Sequence, residues 1–213
     1  MARKVVTEGD IPLRGELRVP EGALFTPSAR ELASARGVKI VEVPADQAPG
    51  LAPPEKTVVI GADHGGFALK QALIPVIEEL GLSVRDVGVM EETAADYPDI
   101  AEKVALLVVE GKAARGVVID GAGIGSAMAA NKIPGIRAAL CYDRASARNS
   151  REHNDANVLA LGGRLLTLSQ AEAVLRTWLE TPFAGGRHAA RTGKISELER
   201  RYRTWPLANS NNS

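Results

Sequence analysis

Between Gly116 and Lys132 the chain reads GVVIDGAGIGSAMAANK. An apolar run stops at Asp120, gives way to a glycine-rich loop and continues as an Ala/Met run that opens a helix. Strand, glycine loop, helix is the junction at which a parallel α/β sheet keeps its chemistry, just beyond the carboxyl end of the strand. The unit recurs on both sides. TVVIGAD (57–63), LSVRDVG (82–88), GVVID (116–120), IRAALCYD (136–143) and ANVLALGG (156–163) read as five strands. Between them FALKQALIPVIEELG (67–81), YPDIAEKVALLVVEGK (97–112), SAMAANK (126–132) and RASARNSREHN (144–154) read as helices, and SQAEAVLRTWLET (169–181), capped by Ser169, follows the last strand. Strands alternating with helices predict βαβ units and a parallel sheet.

The flanks are different. Residues 1–43 form a small unit of their own, with a helix capped by Thr26, opened by Pro27 and stopped by Gly37, then a strand, VKIVEV (38–43). It is too short for an independent core and is expected to dock on something else. Residues 44–56, with Pro44, Pro49, Pro53 and Pro54, read as a linker, 57–205 as the main domain and 206–213 as a frayed tail. The terminal stretch HAARTGKISELERRYR (188–203) has an apolar stripe too thin for a core helix and is expected to face a partner.

Composition excludes several classes. Lys+Arg and Asp+Glu balance at 26 each, which argues against nucleic acid or an anionic membrane surface as partner. No apolar run reaches the ~20 residues of a membrane span, and the N-terminus lacks a signal-peptide core. The lone Cys141 permits no internal disulfide and suits a reducing, cytoplasmic setting. It reads as a small core residue on a strand.

Two strand ends, GADHGG and DGAGIGS, carry both glycines and an acid; a third is CYDRAS. The dinucleotide fingerprint is not matched: the spacing is Gly-x-Gly-x-Gly-Ser, it follows the third strand, and no acid ends a strand about twenty residues on. NAD is therefore not expected. The glycines do offer a row of backbone N–H groups for a phosphate or an enediolate. His64 and His153 fall at strand ends or loops, and His188 lies in GGRHAAR. Their spacing holds no metal-ligand signature, so neither metal nor cofactor is expected. Arg187 and Arg191 stand at i, i+4, either as a solvated basic face or as a phosphate clamp.

GADHGGFALK, DYPDIA, GAGIG, AANKIPGIRAAL, REHNDANVLALGGR and GGRHAAR occur in the order and spacing of the ribose-5-phosphate isomerase B / galactose-6-phosphate isomerase family, which the chain resembles from about Thr57 to Tyr202. The resemblance implies a Rossmann-like three-layer α/β/α sandwich, a homodimer or tetramer with active sites shared between subunits, and aldose–ketose isomerisation of a phosphorylated sugar through a cis-enediolate. It places Asp63 and His64 at the sugar and phosphate, and Tyr97, Ala122, Ser126 and Asn131 around the pocket. The amides of Gly121, Gly123 and Gly125 fall at the enediolate, His153 at ring opening with Asn154 beside it, and Arg164, Arg187 and Arg191 at the phosphate.

The departures fall on the opening stretch. Family members carry their proton-abstracting base either as a Cys where this chain has Asp120 or as a Glu where it has Ser126, and a hydroxyl residue where it has Ala122. Three readings stay open. Asp120 is itself the base; or it marks kinship with galactose-6-phosphate isomerase subunits; or the chain is a catalytically silent phosphosugar-binding or assembly subunit. In the plainest structural account Asp120 caps its loop, accepting N–H bonds from Gly123 or Ile124. The front unit, through TPSAREL above all, resembles a segment of bacterial microcompartment enzymes. That implies docking to shell or cargo, against a simple extension packed on its own dimer.

Overall fold

The protein is described from a computed structural model, over residues 5–6, 11, 16–43, 56–91 and 94–203. The expected linker, Lys56 apart, and the tail lie outside these residues.

The five expected strands are present: β5 (Thr57–Ala62), β6 (Ser83–Asp86), β7 (Arg115–Asp120), β8 (Ala138–Leu140) and β9 (Val158–Gly162). They form one parallel sheet in the order β6-β5-β7-β9-β8. Helices α2 (Phe67–Glu79), α3 (Tyr97–Val109), α4 (Ile124–Ala130), α5 (Arg144–Glu152) and α6 (Leu168–Glu180) cover its two faces, and α7 (Arg187–Tyr202) ends the described chain. The central strands β5, β7 and β9 are buried along nearly their whole length, as strands covered on both sides must be. Two apolar clusters result. One joins Val58, Ile60, Val117, Ile119, Leu159 and Leu161 to α2 and α6. The other joins Val59, Val118, Val158 and Ala160 to α3.

Local chemistry explains the element ends. Asp143 caps α5, accepting from Ser146 N at 2.7 Å. At α6 the structure corrects the expected cap: Thr167, not Ser169, occupies it. Thr167 Oγ1 accepts from Gln170 N (3.3 Å) and Gln170 Oε1 accepts from Thr167 N (2.9 Å), so the reciprocal pair that begins two residues earlier wins. Cys141 is fully buried but lies one residue past β8, its amide still bonded to Ala160 O. Lys70 on α2 is also fully buried. Its Nζ donates to Asp86 Oδ2 and Val89 O, both at 2.6 Å, which satisfies the charge and ties β6 and the segment after it to α2.

In the front unit, α1 (Pro27–Ala35) is capped by Thr26 and followed by β4 (Lys39–Val43), as expected. Three short strands escaped the sequence reading. β2 (Glu16–Pro20) pairs with β4, and β1 (Val5–Val6) with β3 (Leu24–Phe25), both in parallel. They enclose a separate cluster of Val6, Ile11, Leu17, Val19, Ala29, Ala33 and Val38.

Candidate active site

The chain leaves β5 towards β6 on one side and later returns to β7 on the other, so a crevice opens between their carboxyl ends. Three loops meet there. Gly163 N donates to Asp120 O (2.7 Å), Arg164 N to Gly121 O (3.0 Å) and Asp63 N to Ile119 O (3.2 Å). A Cβ on Gly65 would lie 3.1 Å from Gly121 N, one on Gly66 2.5 Å from Ile119 O, and one on Gly163 2.7 Å from Gly65 O. The floor of the crevice is bare main chain.

Side chains form its walls. Asp63 is buried and accepts from Gly66 N at 3.1 Å, while His64 is exposed beside it. Tyr97, the first residue of α3, lies against Gly125, where a Cβ would come within 2.6 Å of the ring. The Arg164 side chain passes over Gly121.

Asp120 is 5% exposed. Its Oδ1 accepts the amides of Ala122 (2.8 Å) and Gly123, and its Oδ2 that of Ser126 (2.8 Å). Burial pushes the carboxyl pKa up, but the neighbouring Ser126 and the three amides outweigh it and hold the group below its ordinary value. The buried Ser126 hydroxyl faces the carboxylate without completing a hydrogen bond in geometry. The row of loop amides is thus divided. Those of Ala122 and Gly123 are turned onto Asp120, whereas those of Gly121, Ile124 and Gly125 have no acceptor among the described residues.

Gly123 makes this division possible. It sits at φ 79°, and a Cβ there would lie 2.6 Å from Leu140 Cδ1 and 2.7 Å from the Leu161 carbonyl carbon. Gly123→Ala should therefore destabilise the protein by about 3 kcal/mol through left-handed strain plus overpacking. A lower urea midpoint at unchanged slope is the expected signature.

The second group of expected residues gathers elsewhere. His153 caps the C-terminus of α5, its Nδ1 2.9 Å from Asn149 Nδ2; with that amide as donor, the neutral ring carries its proton on Nε2. Asn154 Nδ2 donates to Asn149 Oδ1 at 3.2 Å. The next residue, Asp155, adopts φ 47° and is gripped by Arg137 and Arg151, both at 2.9 Å. Against His153 stacks His188, ring centroids 4.2 Å apart and planes within 3°. Burial, then the charges of His153, Arg187 and Arg191, lower the His188 pKa. Arg187 and Arg191 flank it on the first turns of α7, both exposed. The sequence assigns His188 no role, although GGRHAAR places it between the two arginines. Asn131 lies at the end of α4, its side chain bonded both ways to the backbone of Ala138 (2.9 and 2.8 Å).

These two groups stand at opposite ends of the sheet. Asp120 pairs with Gly162 at the carboxyl end of β9, whereas the loop 153–157 enters β9 at its amino end, where Asn157 O accepts from Gly116 N. The five residues of β9 separate them by roughly 15 Å. One sugar phosphate cannot reach from one to the other within a single protomer.

The family described as Ribose/Galactose Isomerase matches residues 58–195. Ribose-5-phosphate isomerase B of Escherichia coli is 42% identical over 146 residues, covering 68% of this chain and 98% of that one. D-erythrulose-4-phosphate isomerase of Pectobacterium atrosepticum is 37% identical over 145 residues, covering 67% and 95%. Among solved structures, ribose-5-phosphate isomerase B of Clostridium thermocellum superposes with a TM-score of 0.67 at 49% identity, covering 68% of this chain and 99% of that one. The type B enzyme of Trypanosoma cruzi gives 0.68 at 41% identity, covering 70% and 99%. With the sheet, the glycine loop and the histidine–arginine group all inside the matched span, the chain belongs to the Ribose/Galactose Isomerase family.

Proposed function

We propose that the protein interconverts an aldose phosphate and its ketose isomer, ribose 5-phosphate and ribulose 5-phosphate first among them, at a site completed by a second copy of the chain. The observation that carries this reading is the division of the functional residues between opposite ends of the sheet. The carboxyl-end crevice supplies a carboxylate and open amides but no histidine other than His64; the amino end supplies His153 and the arginines. A homodimer or tetramer that sets one end against the other makes a whole site. Exposed apolar residues on α3 and α4 (Leu106, Val109, Ile124, Met128) and on α7 (Ile195, Leu198) give such an assembly surfaces to bury.

In this site Arg164 of one protomer and Arg187 and Arg191 of the other hold the phosphate. His153 Nε2–H gives its proton to the furanose ring oxygen as the bond from that oxygen to C1 breaks, and the anomeric hydroxyl returns its own proton to Nε2, leaving the open-chain aldehyde. Asp120 takes the C2 proton. Its Oδ2 accepts one amide and keeps a lone pair, and its ionised form is present at neutral pH. The open amides of Gly121, Ile124 and Gly125 face the enediolate oxygens; the proton of the C2 hydroxyl passes to O1, and delivery of the proton held by Asp120 to C1 gives the ketose. Asp63, His64, Tyr97 and Asn154 shape the sugar pocket. The three amide bonds on Asp120 favour a second reading, in which it only caps the loop and the chain binds phosphosugars without turning them over. Loss of the C2 proton signal of ribose 5-phosphate in D2O tests the first reading; tight binding with no exchange sinks it. Hexose phosphates run in parallel decide for or against a galactose-6-phosphate isomerase.

Arg187→Ala should weaken phosphate-bearing ligands by roughly 10- to 100-fold, the worth of a charged hydrogen bond, and leave unphosphorylated ribose unaffected. Calorimetric titration of both sugars checks this. For residues 1–43 the resemblance carried by TPSAREL supports docking to the shell or cargo of a bacterial microcompartment, with packing on its own dimer as the alternative.

A further inference from the structure

We infer that Tyr142 is a positioning residue of the glycine loop, holding its central peptide in the one orientation that keeps Asp120 capped and the other amides open. Tyr142 follows β8, the edge strand of the sheet, two positions away from β7. Its side chain reaches across the end of β9, and its hydroxyl donates to Ala122 O at 2.8 Å. The space it crosses is cleared by Gly162, where a Cβ would stand 2.7 Å from that same carbonyl oxygen.

The peptide between Ala122 and Gly123 is thereby fastened at both ends. Its carbonyl is held by Tyr142, and its N–H by Asp120 Oδ1. Such a peptide needs two fastenings. Gly123 is in the left-handed region, and a glycine there tolerates the rotated peptide nearly as well, so the backbone alone sets little preference between the two orientations. Rotation would carry the Gly123 N–H off Asp120 and swing the Ala122 carbonyl from Tyr142. Asp120 would keep the amides of Ala122 and Ser126 only. Tyr142 acts through this peptide and has no part in holding the phosphate, which falls to the arginines. Its ring is more than a third exposed, so removal of the hydroxyl alone leaves the packing of the core intact.

Tyr142→Phe is the test, and its kinetic arm rests on Asp120 being the base. The variant should lose roughly tenfold in kcat with KM for ribose 5-phosphate within twofold. The acid limb of its rate profile should rise by about one pH unit, since one donor fewer stabilises the Asp120 carboxylate. A second readout is independent of the base: in glycine-selective 15N spectra the Gly123 amide proton should move upfield as its hydrogen bond weakens. Wild-type spectra and rates together overturn the inference, as does a rate loss with the Gly123 resonance unmoved. Should Asp120→Asn retain full exchange, the base assignment fails while the Gly123 shift still decides on the clamp.

Discussion

Two variants that are each inactive, Asp120→Asn and His153→Ala, should restore each other when their subunits are mixed and re-associated. Each homodimer would contain two sites with the same defect. In a mixed dimer one site collects both substitutions, and the other receives a native Asp120 from one chain and a native His153 from its partner. Random re-association gives about half mixed dimers, each with one sound site of two, so about a quarter of wild-type activity returns. This expectation rests on the proposed shared site, since Asp120 stands at the carboxyl end of β7 and His153 precedes the amino end of β9. Mixed dimers verified by mass spectrometry that stay inactive would mean that the two groups never share a substrate.

The second large effect is that of Asp120→Asn by itself. Loss of the general base should lower both isomerisation and C2 exchange by about a thousandfold. The substitution keeps the side chain's shape, and its carbonyl oxygen still serves the amides of Ala122 and Gly123. Its amide nitrogen then faces Ser126 N–H, leaving one donor without an acceptor at a stability cost of about 1–3 kcal/mol. Affinity for ribose 5-phosphate, measured by calorimetry, should fall only slightly. Exchange that survives the substitution would reduce Asp120 to a cap, the role its three amide partners also fit.

The main sheet was open to a sequence reading because β5, β7 and β9 are apolar runs that lead into glycine-bearing loops, and α2, α3 and α6 each carry an apolar face. In the front unit β4 was equally plain, but β1 and β3 were not: each is two residues long, with no alternation to recognise. The cap of α6 was misplaced because serine and threonine stand two residues apart, and only the reciprocal bond with Gln170 chooses between them. Residue types pointed to the glycine loop, yet which of its amides stay open depends on where each N–H points, and on a tyrosine arriving from another strand. The separation of Asp120 from His153 was implicit in the alternation of strands and helices. A βαβ chain always returns to the amino edge before its next strand, and His153 lies on such a return.

The crevice floor, where Gly66 and Gly163 leave no room for a Cβ and Gly65 leaves little, bears on how such an enzyme changes its diet. A surface built of peptide groups offers selection nothing to edit, since most single replacements there collide with neighbouring backbone. Heritable variation in sugar length has to enter through the walls, at positions such as Tyr97 and Arg164. Relatives named for a five-carbon and for a four-carbon phosphate share 37–42% identity with this chain. Divergence of that kind can proceed around a fixed chemical centre, with new substrates reached by re-cutting the rim.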